Sequence, residues 1–151
     1  MTADRTGTRW LHAAAALLAV SQAYAADPPY EPAVGIETLT RLEADLANYE
    51  DDPAAIEALM VEAATLREQG LACAEAAAPR VATLQSELEI LGEPDPNEEI
   101  DIWEQRQAIS EALSKTTARK SNCELLAVRA GQLEATAEEE LKRISSQRMW
   151  S

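Results

Sequence analysis

Phenylalanine is absent from this chain, and aromatic residues of all kinds make up only 4% of it. A thick globular core built on large rings is therefore excluded. The single histidine is His12, inside an apolar segment near the N-terminus. Beyond it no imidazole is available for acid–base work or for a metal. Serines such as Ser110, Ser114 and Ser121 consequently have no base to activate them. Five glycines leave no phosphate-cradling loop, and neither G-x-S-x-G nor H-E-x-x-H occurs. No alternating, β-branched run is long enough for a strand. Basic residues are scarce as well: 13 Lys and Arg stand against 27 Asp and Glu, a net charge of -14. Such a chain repels nucleic-acid phosphates and anionic headgroups, so no nucleic-acid partner is expected. The simplest reading of that acidity is a solvated helical surface. Neither an enzyme nor a cofactor or metal dependence is expected.

What remains is alanine, leucine and charge, in one domain's length of chain. Small apolar side chains suit thin helix–helix seams. The N-terminus reads as a secretory signal over residues 1–25. Arg5 and Arg9 are followed by the ten-residue run LHAAAALLAV and by the small-x-small pattern Ala23-Tyr24-Ala25. Cleavage is expected after Ala25 or Ala26. The run is shorter than the roughly 20 apolar residues of a spanning helix, and no later segment could span, so no membrane insertion of the mature chain is expected. The expected compartment is oxidising, most simply a bacterial periplasm.

Residues 26–35 are proline-rich and read as a leader. Helical periodicity then predicts an all-α domain over 36–148: a short N-terminal helix at about 36–50 and two long arms at about 53–91 and 96–148, paired as an elongated antiparallel, coiled-coil-like hairpin. Ile36, Leu39, Leu42, Leu46 and Tyr49 mark the first helix. Ile56, Met60, Ala63, Gly70, Cys73, Ala77, Leu84, Leu88 and Leu91 mark the second. Asp52 followed by Pro53 is a start signal for it. Pro79 predicts a kink or break near 75–79. Gly92 suits a left-handed C-cap. Asp95, Pro96 and Glu98 predict a capping box opening the last arm. Its stripe runs Ile102, Ile109, Leu113, Thr116, Cys123, Ala127, Ala130, Ala137, Leu141 and Ile144, with gaps at Arg106, Lys120 and Glu134. The acidic clusters Glu98, Glu99, Asp101 and Glu138, Glu139, Glu140 lack calcium-loop spacing and read as solvated faces or dipole matches. Trp103 and Trp150 read as packing or boundary residues. A large aromatic one position from the end of the chain looks like an interrupted sequence.

Two cysteines remain. No C-x-x-C is present, and two thiols without histidine make a poor zinc site. An exported chain with an even cysteine count favours a disulfide, and Cys73 and Cys123 both lie on apolar stripes. The expected state is an intrachain bridge; free thiols and an interchain bridge are the alternatives. The register is not clean. Cys73 lies 18 residues before Leu91 (91 − 73) and Cys123 lies 27 after Pro96 (123 − 96). Straight helices would leave an axial offset of about 13 Å, against the roughly 7 Å within which Cα atoms can be bridged. A break at Pro79 or a later start to the last arm would absorb it.

The stretches CAEAAAPRVATLQSELEILGEPDP and EQRQAISEALSKTTARKSNCELLAVRAGQLEA resemble a periplasmic helical domain of unknown function. That domain precedes the membrane portion of some bacterial mechanosensitive channels of the MscS superfamily. The likeness rests on Cys73, the L-x-x-L-G-E turn from Leu88 to Glu93, Arg106, the group Cys123, Leu125 and Leu126, and the group Arg129, Ala130 and Leu133. It covers about residues 36–148. Pro79 departs from the pattern, and the channel portion itself is missing, so the chain would not conduct ions as it stands. The resemblance implies a sensing, assembly or structural role with the channel's membrane domain or another envelope protein as partner, and a homo-oligomer is a further option. The other reading from sequence is a free-standing envelope adaptor, scaffold or holdase.

Overall fold

The computed structural model describes residues 30–49 and 51–150. These residues are 88% helical and form three helices with no strand, an all-α bundle. Helix α1 is Pro32–Leu46, α2 is Pro53–Leu91 and α3 is Ile100–Trp150. The proposed signal, its cleavage at Ala25 or Ala26, and His12 lie outside the described residues.

Helix α1 begins four residues before the predicted start of 36. Pro32 is its first residue, behind Glu31 in extended conformation. A proline there has no amide hydrogen that a helix could use, and its fixed φ suits the first turn. The leader reading of residues 32–35 is thus corrected: what looked like loop composition is a helix start. The helix also ends earlier than 50, at Leu46. Tyr49 nevertheless packs against the core from the turn that follows. In that turn Asn48 N–H donates to Asp45 O at 2.9 Å and Tyr49 N–H to Leu46 O at 3.2 Å. Asp52 then caps α2 as expected, its carboxylate accepting from Ala55 N–H at 3.1 Å, with Pro53 at the first helical position. The short turn makes α1 and α2 antiparallel neighbours.

No break occurs at Pro79. Helix α2 runs 39 residues without interruption. Pro79 is exposed, while Ala77 and Leu84 on either side of it are buried in the seam with α3. The proline therefore sacrifices one backbone bond on the solvent face, and packing on the other face holds the helix together.

The hairpin of α2 and α3 has two sections. In the base, α1 lies across the pair and completes a three-helix core of Leu39, Leu42, Ile56, Leu59, Ala63, Leu66, Leu126, Ala130, Leu133, Ala137 and Ile144. Toward the 92–99 turn α1 is absent, and the structure thins to a two-helix arm. Beyond the cysteines only Ala77, Leu84 and Arg106 are buried there. Leu59, Leu66, Leu126 and Leu133 fall outside the predicted single stripes because a helix with two neighbours buries a wider sector than one with a single partner. Ion pairs fasten α1 at its margins: Arg129 to Glu43 at 2.6 Å, Arg119 to Glu31 at 3.6 Å, and Arg41 to Glu62 at 3.8 Å. Arg119 also donates to the carbonyl of Tyr30. The Tyr30 hydroxyl is buried, and that burial raises its pKa. No helix among the described residues is long and apolar enough to cross a membrane.

Candidate functional site

The feature that organises the arm is the covalent link between its two helices. Cys73 and Cys123 form a disulfide with a Cα–Cα distance of 5.7 Å and a sequence separation of 50. Both are buried, Cys123 completely. The bridge sits where the three-helix base gives way to the two-helix arm.

Gly70 lies one turn before Cys73 and explains how the helices come so close. A Cβ at Gly70 would fall 2.8 Å from the backbone nitrogen of Ala127 and 2.8 Å from the carbonyl oxygen of Cys123. The α2 backbone is thus pressed directly on the α3 backbone, and only hydrogen fits between them. Ala127, Ala130 and Ala137 continue the small-residue seam into the base.

The expected 13 Å offset is resolved at the far end of the arm. Arg106 is 7% exposed and reaches back across the turn. It donates to Gly92 O at 2.7 Å and to Leu91 O at 3.2 Å. Its guanidinium also holds Glu98 through both carboxylate oxygens, at 2.6 Å and 3.3 Å. Arg106 is therefore level with the end of α2, and the first turn and a half of α3 overhangs it. From Arg106 to Cys123 is 17 residues (123 − 106), and from Cys73 to Leu91 is 18 (91 − 73). The two arms agree to within about 1.5 Å of rise. A late start and an overhang absorb the offset, with no break at Pro79.

This arrangement corrects the predicted capping box. Helix α3 starts at Ile100, not at 96. Asp95 caps no helix; its carboxylate accepts from Asn97 N–H at 2.8 Å and its carbonyl from Glu98 N–H at 3.0 Å, so Asp95, Pro96 and Glu98 build a tight turn. Glu98 is withdrawn from capping because a bidentate pairing with an arginine is stronger than one bond to a backbone amide. The hydrogen bonds to Glu98 hold the Arg106 guanidinium above its ordinary pKa against the opposing effect of desolvation. Gly92 ends α2 at φ +69, the positive φ expected, but at ψ −164 it is extended and not the left-handed helical cap that the sequence suggested; that region is open essentially to glycine alone.

Arg106 thus does for α2 what a basic residue in its own last turn would do, since that turn has none. In the sequence it appeared as a gap in an apolar stripe and as one residue of the family resemblance, with no structural role assigned to it. Its signal was the absence of any other cation between Arg80 and itself. Arg106→Met is expected to speed amide exchange at Gly92 and Glu98 by about tenfold or more, since four hydrogen bonds holding the turn are lost. Exchange in the base should be unchanged. Arg106→Lys should not rescue, because one ammonium cannot span two carbonyls and a carboxylate in a planar fork. Equal protection in wild type and Arg106→Met would show that the turn holds without this clamp.

At the other end of α3 the acidic residues are partnered locally. Glu138 pairs with Lys142 at 2.7 Å and Glu140 with Arg143. Hydrogen bonds from these cations hold both carboxyls below their ordinary pKa. This agrees with their reading as a helix face. Trp103 and Trp150 are both largely exposed, so neither is a core residue. Comparison of the chain with protein-family models, with curated proteins and with solved structures yields no match.

Proposed function

We propose that this chain is an exported, non-enzymatic module that acts mechanically in the bacterial envelope, resembling the N-terminal helical region of MscS-type channels. The observation that carries this reading is a coincidence of roles. Cys73, the Leu88–Glu93 turn, Arg106 and Cys123 underlie the resemblance, and they are also the residues that staple the arm and clamp its end. A hairpin joined covalently in its middle and tied at its tip transmits displacement along its length with little internal slippage. An oxidising compartment, reached through the signal at residues 1–25, suits such a bridge. The exposed tip of the arm favours a second reading, a free-standing adaptor that docks a neighbour.

The test has two parts. A phosphatase reporter that is active only outside the cytoplasm, fused behind residues 1–30, should be active; an inactive fusion removes the envelope from the proposal. The DNA immediately downstream should contain a reading frame for an MscS-like pore, in phase or shifted. Unrelated downstream sequence, together with recovery of exclusively soluble partners from envelope extracts, would reject the channel reading and leave the adaptor.

A further inference from the structure

The end of the arm combines features that helix stability alone does not account for. Ile90 is 84% exposed, Ile100 71% and Trp103 53%, and all three lie at the tip, around the turn that Arg106 holds. Exposed apolar side chains also occur elsewhere, Val61, Leu71 and Trp150 among them; those at the tip differ in being flanked by an acidic group that nothing in the arm neutralises. Charge identifies the occupant. Between Arg80 and Arg106 there is no lysine or arginine, only carboxylates. Those at Glu98, Glu99 and Asp101 suit the positive end of the α3 dipole. Glu87 and Glu89 do not: they lie in the last turns of α2, at the negative end, where acidic side chains oppose the dipole. Glu93 follows just beyond. No described lysine or arginine pairs with any of these three. Arg106 supplies no charge outward, being buried and spent on Leu91, Gly92 and Glu98. A local arrangement that works against its own helix is expected where function requires it.

We propose that the tip is a docking site for a basic, apolar-bearing segment of another protein. Lysine or arginine side chains of that segment meet Glu87, Glu89 and Glu93. Its aliphatic or aromatic side chains cover Trp103 and the isoleucines beside the turn. The clamp at Arg106 pre-organises the site, so binding costs little ordering of the arm. The site does not depend on the channel reading, because it can be measured without any membrane component.

Calorimetric titration of the oxidised full chain with a synthetic amphipathic peptide of lysine and leucine tests it. Saturable binding is expected, weakened about tenfold or more by Trp103→Ala and to a similar degree by the triple change Glu87→Gln, Glu89→Gln, Glu93→Gln. The matched triple change Glu57→Gln, Glu68→Gln, Glu139→Gln, remote from the tip, should leave the affinity unchanged. Circular dichroism and the intact disulfide establish that each variant is folded; Ile90→Ser, on the outer face of α2, gives a second apolar probe that removes no buried contact. Three results would each overturn the proposal: no saturable binding, polylysine binding as tightly as the amphipathic peptide, or equal weakening by the remote triple change.

Discussion

Replacing Cys73 and Cys123 by serine is expected to cost about 4 kcal/mol of stability, the loop-closure value for a separation of 50 residues. Typical domains have only about 5–15 kcal/mol in total, so the loss is severe. Its distribution matters as much as its size. The base keeps its three-helix core of Leu39, Ile56, Leu126 and their neighbours. The arm beyond the bridge has only a two-helix seam, with Ala77 and Leu84 its buried apolar side chains. Without the bridge the arm should open first. Amide exchange of α2 beyond Cys73 and of α3 before Cys123 should accelerate well ahead of exchange at residues 56–66. Urea unfolding of the double variant against the oxidised wild type gives the total, and exchange by mass spectrometry gives the distribution. Uniform acceleration along both helices would mean that base and arm are one cooperative unit.

The second large effect is a pair of glycine substitutions with opposite signs. Gly70→Ala should destabilise, although alanine is the better helix former. Its Cβ would meet the backbone of Ala127 and Cys123 at 2.8 Å, so the helices must part beside the disulfide. Overpacking costs about 1–3 kcal/mol, and a clash with two backbone atoms, which cannot swing aside, belongs in the upper part of that range, above the roughly 1 kcal/mol of helix propensity gained. At Gly131 the nearest atom to an added Cβ is Arg67 Cδ at 3.7 Å, an ordinary contact at the end of a flexible side chain. Gly131→Ala should therefore stabilise by about 1 kcal/mol. Thermal melts of the two variants beside wild type read both signs. Stabilisation by Gly70→Ala would contradict the backbone-to-backbone contact at the staple.

Much of the architecture was legible in the residues because helices write their neighbours into spacing. Leu39 and Leu42 marked the buried face of α1, and Ile56, Ala63, Cys73, Ala77 and Leu84 that of α2. Local chemistry was equally readable where it acts within a turn, as at Asp52 and Pro53 and at Gly92. The cap at Asp95 failed because its partner was already engaged: Glu98 is held by Arg106, eight positions on, and spacing rules do not reach that far. Leu59, Leu66, Leu126 and Leu133 fell outside the predicted stripes because one stripe describes a helix with one neighbour, and the base has three helices. Pro79 signalled a kink or break, and of these the break is overridden by packing on the opposite face of α2.

By itself, then, the sequence determined an all-helical chain with two long arms, a turn near Gly92 and one cysteine on the apolar stripe of each arm. Only the tertiary structure decided the register between the arms, the extent of the third helix and the division into a thick base and a thin arm. The physical reason lies in range. Periodicity, caps and turns are settled by neighbours within a few positions. Register was settled by contacts across the hairpin: the carbonyls of Leu91 and Gly92 on Arg106, the flush approach of Gly70 to α3, and the sulfur bridge that both of them allow.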